Sequence, residues 1–131
     1  NKQQDDYQKR PKRKSIGARA QEYRLAAYVE SWRQKVERIG NVNYPEAAKD
    51  QKIYGQLQLT VYIKSSGEVE KVEIRRSSGY PILDNAAKRI VEMGSPYAAF
   101  PEELRKEVDI LDITRTWIFT QEDSLATKAS E

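Results

Sequence analysis

The most constraining feature of the chain is an unbroken alternation over residues 55–64, GQLQLTVYIK. Leu57, Leu59, Val61 and Ile63 fall on one side of an extended backbone, and Gln56, Gln58, Thr60 and Tyr62 on the other. Successive strand side chains point to opposite faces, so this segment predicts a strand with one buried and one polar face. A strand of that kind needs neighbours to pair with and a second layer to cover its apolar side.

The neighbours follow directly. Ser65-Ser66-Gly67 reads as a hairpin turn, with Gly67 able to take positive φ. Residues 68–76 (EVEKVEIRR) return as a second strand, with Val72 and Ile74 in phase. Val69 is out of phase, which indicates a bulge. A third strand is expected over about 109–120, where Leu111, Ile113, Trp117 and Phe119 share one phase and Arg115 interrupts it.

The covering layer comes from two amphipathic stretches. From about Ile16 to Ile39, Leu25, Val29, Trp32, Val36 and Ile39 recur at alternating spacings of four and three, one face of a helix. Gly40 reads as its C-terminal stop. This helix is longer than a small core needs, so its early half is free to project or to pack on a partner. The second helix, 81–93, carries Ile82, Leu83, Ala86, Ala87, Ile90 and Val91, with Pro81 suited to its first position and Asp84 near the positive end of its dipole.

Connections fill the rest. Residues 41–45 read as a turn or extended segment, because the position before Pro45 disfavours helix. A short helix from Glu46 to about Gln51 and a single turn at Glu102–Lys106 complete the elements. Residues 1–15 are polar and charged, a disordered basic linker; residues 121–131 are expected to be a flexible tail. The folded domain is therefore placed at 16–120. Two helices on one face of a small three-stranded sheet make an α+β architecture, and the element order alone leaves the strand directions open.

Composition narrows the function. Residues 1–14 carry a net charge of +4 and the other 117 a net −1, so the basic character belongs to the tail. A folded nucleic-acid binder would more often carry its excess charge on the domain itself. The chain has no Cys and no His, which excludes Cys/His zinc sites and catalysis by imidazole or thiol. Asp109 and Asp112 would point to opposite faces of a regular strand, which argues against a carboxylate pair. No run of 18 apolar residues exists, and a start at Asn1 rather than Met suggests a fragment or a processed product.

Four pieces in order carry a family resemblance. They are Tyr44-Pro45 with Ala47-Ala48 and Gly55, the turn Gly67-Glu68-Val69 with Val72-Glu73-Ile74, Ser77-Ser78-Gly79 with Leu83-Asp84 and Ala86-Ala87, and Pro101 with Thr114-Arg115-Thr116-Trp117 and Phe119. Together, over about residues 38–120, they resemble the C-terminal domain of the TonB family of energy transducers. The resemblance implies an antiparallel sheet and a periplasmic location, with the full-length protein anchored in the inner membrane. It implies no enzymatic activity and no cofactor. The partners it implies are an outer-membrane TonB-dependent receptor and, through an N-terminal anchor, an inner-membrane proton-driven motor complex, with iron or siderophore uptake as the task. Residues 35–45 look like a TonB-like subset linked to pilus or envelope assembly, where a secretin or pilus component is the partner.

The resemblance also implies a site. A short extended segment of the receptor pairs beside the last strand, along Ile110, Leu111, Asp112, Ile113, Thr114, Arg115, Thr116, Trp117 and Ile118. Thr114 and Thr116, on the polar phase, are candidates for selecting its side chains. Asn41, Val42, Asn43 and Tyr44, just before Pro45, are the second implied contact. Against these stand plainer readings. Residues 41–45 can be only a turn, Trp32 and Trp117 only core, and Arg115 only a bulged or surface-reaching position rather than a carboxylate receptor. The last strand can be covered by residues 121–131 until a partner displaces them. The long helix offers a homodimer surface. A competing reading, a small basic nucleic-acid module, rests on the tail alone.

Overall fold

Ten-residue strands form the centre of the sheet in the computed structural model, which describes residues 13–15 and 23–129. Among these described residues are five strands: β1 (Arg13–Ser15), β2 (Gly55–Lys64), β3 (Val69–Arg76), β4 (Ile110–Phe119) and β5 (Leu125–Ala129). The helices among them are α1 (Tyr23–Val42), α2 (Glu46–Gln51), α3 (Pro81–Gly94) and α4 (Glu102–Arg105).

The expected alternation of β2 organises the fold. β2 pairs antiparallel with β4 along its whole length, Gly55 opposite Phe119 to Lys64 opposite Ile110. On its other side β2 pairs antiparallel with β3. The β2–β3 register shifts between Tyr62 and Ile63, the irregularity that Val69 foretold, and again between Gln58 and Leu59. In the connecting turn Gly67 has φ +95°, and a Cβ there would lie 2.0 Å from the carbonyl oxygen of Tyr97. The turn thus demands glycine both for its backbone and for the loop packed on it.

Leu57, Leu59, Val61 and Ile63 are buried under α1 and α3, together with Leu111, Ile113, Trp117 and Phe119 of β4. Small Ala86 and Ala87 lie in the same core on α3. The antiparallel core and its one-sided helical layer are those expected.

Several details differ from expectation. The sheet has two more strands than the three anticipated. Residues 121–131 were expected as a flexible tail, yet Leu125–Ala129 pairs antiparallel with β4, Phe119 opposite Leu125. Leu125 and Thr127 are buried there, and that burial holds a segment too short to announce itself by periodicity. Within the linker assigned to 1–15, Arg13–Ser15 pairs parallel with β4, Arg13 opposite Ile110. The reason is main-chain pairing: the first residues of β4, Ile110 to Asp112, offer N–H and C=O groups that pair whatever the side chains.

The start of the first helix at residue 16 lies outside the described residues. Its end differs, because α1 runs through Gly40 to Val42. Gly40 is not the left-handed stop that was expected. It is the point where the helix comes closest to β5, and a Cβ there would stand 2.3 Å from Leu125 Cδ2 and 3.4 Å from Ile90 Cδ1. Nor does the described early half of α1 project. Leu25, Tyr28, Val29 and Trp32 are all buried in the chain's own core. Tyr28 meets Phe100 edge-on at 5.3 Å and Trp32 lies 6.3 Å from Tyr97.

Candidate functional site

β4 stands between β2 on one side and two short strands on the other. Its lower part, Ile110 to Asp112, is paired by β1, and its upper part, Arg115 to Phe119, by β5. Ile113 and Thr114 are paired by neither. The side of β4 named from the sequence as a free edge is therefore filled from within the chain, by residues 13–15 and 125–129. That corrects the picture of an open edge and matches the reading in which residues 121–131 cover it.

The hairpin that brings β5 back is built from Thr120 to Ser124. Asp123 takes φ 59° and donates its N–H to the Thr120 carbonyl at 3.0 Å. The hydroxyls of Thr120 and Ser124 meet at 2.7 Å. Aspartate tolerates the left-handed region better than most residues, which suits it to this corner.

Among the described residues no further strand lies beyond β5; α1 takes that place. The Asn41 side chain accepts a hydrogen bond from Leu125 N at 2.8 Å and donates Nδ2 to Leu125 O at 3.2 Å. Glu37 Oε2 accepts from Thr127 N at 2.9 Å and from Thr127 Oγ1 at 3.2 Å. Arg115 Nη2 donates to Thr127 O at 3.2 Å. Main-chain groups of an antiparallel strand alternate in direction, so those of Ala126 and Lys128 turn inward to β4. One face of a helix thus satisfies the outer edge of β5 with side chains, which keeps that edge from other chains.

Charge is concentrated where helix and strand meet. Glu37 Oε1 accepts from Arg33 Nη1 at 2.9 Å, and Arg33 also grips Glu30. The Arg33 hydrogen bond holds the Glu30 carboxyl down to about 2, and Glu30 and Glu37 hold the Arg33 guanidinium above its ordinary value. Burial pushes the Arg115 guanidinium below its ordinary value, and the Arg33 charge adds to this while Glu37 and Glu30 oppose it. Arg115 is half-buried, and the β2–β4 register is regular at Leu59 opposite Arg115. It is therefore not a bulged position. It reaches from the apolar side of β4 toward α1 and ties down a β5 carbonyl.

The other residues named from the sequence divide by face. Ile110, Leu111, Ile113 and Trp117 are buried, so only their main chain is available to a neighbouring strand. The buried indole N–H of Trp117 finds no partner among the described residues. Asp112, Thr114, Thr116 and Ile118 are half-buried on the opposite, helix-free face. Thr114 Oγ1 meets Thr60 Oγ1 at 2.7 Å, and Arg75 Nε donates to Thr60 Oγ1 at 3.1 Å. Of the 41–44 segment, Asn41 and Val42 are helical, and Val42 is 78% exposed. Asn43 donates its side-chain amide to Ile39 O at 2.9 Å. Tyr44 is core, edge-on to Phe119 at 5.7 Å.

Glu37, Leu125 and Thr127 belong to this site but were not singled out from the sequence, and Gly40 was read there only as a helix stop. The signals for them are weak: one large aliphatic residue two places before a threonine, and a glycine on the helix that faces them.

No helix among the described residues is long and apolar enough to cross a membrane. The described residues also hold no group of three or more His, Cys, Asp or Glu side chains able to bind a metal ion.

The described residues form a small α+β domain in which one side of β4 is closed by short strands of its own chain, with β5 latched by a helix. Its relatives show which family this is. Residues 40–120 match the sequence profile described as "Gram-negative bacterial TonB protein C-terminal", and the chain belongs to this family. A protein called "Protein TonB" from Pasteurella multocida (strain Pm70) is 29% identical over 84 residues, which are 64% of this chain and 32% of that protein. The chain thus spans about a third of the length of that curated relative. Two solution structures of the Helicobacter pylori TonB C-terminal domain share the fold. One has TM-score 0.55 at 15% identity, covering 74% of this chain and 97% of its own. The other has TM-score 0.53 at 20% identity, covering 72% and 89%.

Proposed function

We propose that this domain is the periplasmic, force-transmitting end of a TonB-type energy transducer, and that it grips an outer-membrane receptor by strand exchange. In this reading an extended segment of the receptor takes the place of β5 beside Arg115–Phe119 of β4. The load is then shared among several main-chain hydrogen bonds, which is what pulling on a peptide requires. The role is binding rather than catalysis. The remainder of a longer protein would supply an inner-membrane anchor and contact with a proton-driven motor complex, and receptor-borne uptake of iron or siderophores is the natural task.

The observation that carries the reading is the asymmetry of β4. One side is paired over ten residues by β2, while the other is closed by strands of only three and five residues. Among the described residues, the five-residue strand has a helix, not another strand, beyond it. A strand with few inter-strand bonds is the one a competing peptide replaces at least cost.

A reversible lock tests it. Ile118 and Ala126 lie opposite each other on the helix-free face, and the chain has no native cysteine. Cysteines at both positions should form a disulfide, since facing strand residues lie within its reach. Solubilised outer membranes of a Gram-negative bacterium are passed over the immobilised protein, oxidised and then reduced. Receptors of the TonB-dependent type should be retained by the reduced protein and lost by the oxidised one. Equal retention in both states rules out strand exchange. Recovery of a secretin or pilus component in place of receptors moves the domain to envelope assembly, the reading that residues 35–45 favour.

A further inference from the structure

We propose that the helix-free face of the sheet carries a binding site for a phosphorylated sugar, in a cavity crossed by one row of four residues from four strands, Arg76, Gln58, Thr116 and Lys128. The site stands apart from the strand-exchange reading.

The row follows from the register. Arg76 of β3 lies opposite Gln58 of β2, Gln58 opposite Thr116 of β4, and Thr116 opposite Lys128 of β5. Neighbouring strands lie about 4.8 Å apart, so the two cations start about 14 Å from each other on the backbone. Together with Gln56 these residues line a cavity of about 330 Å³. Ligand clefts begin at about 300 Å³, so this one has room for a single sugar-sized group. Among the described residues none that lines it is acidic.

A bulge brings the second arginine to the row. In a regular strand Arg75 and Arg76 would face opposite ways. The β2–β3 register instead steps from Leu59 opposite Ile74 to Gln58 opposite Arg76, and Arg75 is the extra residue. Both arginines therefore share the helix-free face, and re-aiming a side chain is a common use of a bulge. Arg75 is occupied there: Nε donates to Thr60 Oγ1 at 3.1 Å and Nη2 to the Tyr62 hydroxyl at 2.9 Å, with Glu73 at 3.5 Å. Arg76 and Lys128 are exposed and have no ion-pair partner among the described residues. Arg76 adds nothing to the core, but it gives the cavity a guanidinium.

The chemistry of the lining selects the ligand. A phosphomonoester carries a charge of about −1.5 to −2 at pH 7, which suits two cations better than the single charge of a carboxylate. Arg76 presents a planar fork to two phosphate oxygens and Lys128 a point charge to the third. Between them stand the amides of Gln56 and Gln58 and the hydroxyl of Thr116, groups that both donate and accept. They match the hydroxyls of a sugar ring, and a bare anion would leave them unused. Lys128 belongs to β5, so the site is whole only while that strand is paired.

Titration of the isotope-labelled intact chain with glucose 1-phosphate, followed by amide NMR shifts, tests the proposal. Shifts should centre on Gln58, Arg76, Thr116 and Lys128, and glucose should cause none. Arg76→Gln and Lys128→Gln should each weaken binding about tenfold with the urea midpoint unchanged, while Lys49→Gln, outside the cavity, binds as before. Unchanged affinity in Arg76→Gln, or shifts centred elsewhere, overturns the site. Glucuronate binding as tightly overturns the choice of phosphate, and inorganic phosphate binding as tightly overturns the choice of a sugar. Vesicles bearing phosphatidylinositol 4-phosphate, a lipid-borne sugar phosphate, form the last arm. If they displace glucose 1-phosphate the site is upheld with a lipid headgroup as its source, and if they do not it is upheld with a free sugar phosphate.

Discussion

Asn41 treats Leu125 as a neighbouring strand would, one side-chain amide bonding both polar groups of its main chain, at 2.8 and 3.2 Å. A third bond, Asn41 Nδ2 to Glu37 O at 2.7 Å, fixes the amide on the helix. Replacing Asn41 by alanine removes the pair and leaves β5 held on its outer side by Glu37 and Arg115. Such a loss costs about 1 kcal/mol in local opening. Amide hydrogen exchange at Ala126 and Lys128 should accelerate by about five- to tenfold, with the amides of β2 unchanged. Unchanged exchange in β5 would show that the amide pair does not hold the strand.

Gly40 and Leu125 are complementary in shape, and their substitutions should not add. Gly40→Val drives a branched side chain into Leu125 and should cost about 1–3 kcal/mol. Leu125→Ala empties the same space and should cost about 2–5 kcal/mol. The double variant should be more stable than the sum of the two losses allows, because the valine fills room that the alanine leaves. Urea unfolding of the four proteins measures the coupling; strict additivity would separate the two residues.

Asp84 sets the acid limit of α3. Its carboxylate accepts from Ser77 Oγ at 2.5 Å, Ser78 N at 3.0 Å and Ser78 Oγ at 2.7 Å. Partial burial works to raise its pKa, but these hydrogen bonds and nearby Lys88 outweigh it and hold the group below its ordinary value. A lowered folded value means the stabilisation is whole above the unfolded carboxylate pKa of about 3.9 and is lost as pH falls through the folded one. Asp84→Asn should be less stable by about 1–2 kcal/mol at pH 7 and lose less on acidification. Urea midpoints at neutral and strongly acidic pH give both numbers.

The alkaline limit comes from two buried phenols. Burial pushes Tyr28 up to about 12, and burial with the nearby Tyr28 charge raises Tyr97 as well. Their hydroxyls donate to Ala98 O at 2.7 Å and Val91 O at 2.8 Å. An unfolded tyrosine ionises near 10, so the stability these residues give is whole below that pH and drains away as it rises toward 12. Tyr28→Phe should flatten the loss above pH 10 while lowering neutral stability by about 1 kcal/mol. Denaturant melts at neutral and alkaline pH provide the check.

What the sequence made legible follows how far each signal repeats. The alternation of Leu57, Leu59, Val61 and Ile63 places β2 within its true ends, and Gly67 and the phase break at Val69 fix the hairpin and its bulge. α3 begins at Pro81 as expected, for the same reason of repeated apolar spacing. β5 has a single large aliphatic residue and five positions, too few for a period to emerge. β1 is Arg-Lys-Ser, joined to β4 through main-chain groups that every sequence carries. Gly40 misled because a glycine at a helix end has two uses, a left-handed stop and a close approach. Which one applied depended on Leu125, 85 positions away in the chain. Arg115 was conspicuous on an apolar phase, but its role as a tie to Thr127 needed β5 to be known.

β1 and β5 enter the same lane beside β4 from opposite ends and stop at Ser15 and Ala129, with only Ile113 and Thr114 between their pairing positions. That lane has a fixed length. A short visitor seated over Arg115–Phe119 would leave the incoming end of the polypeptide docked, whereas one extending past Thr114 would have to unseat it. Under the proposed strand exchange, visitor length alone would decide whether tension from the amino-terminal side meets a fastened or an unfastened domain.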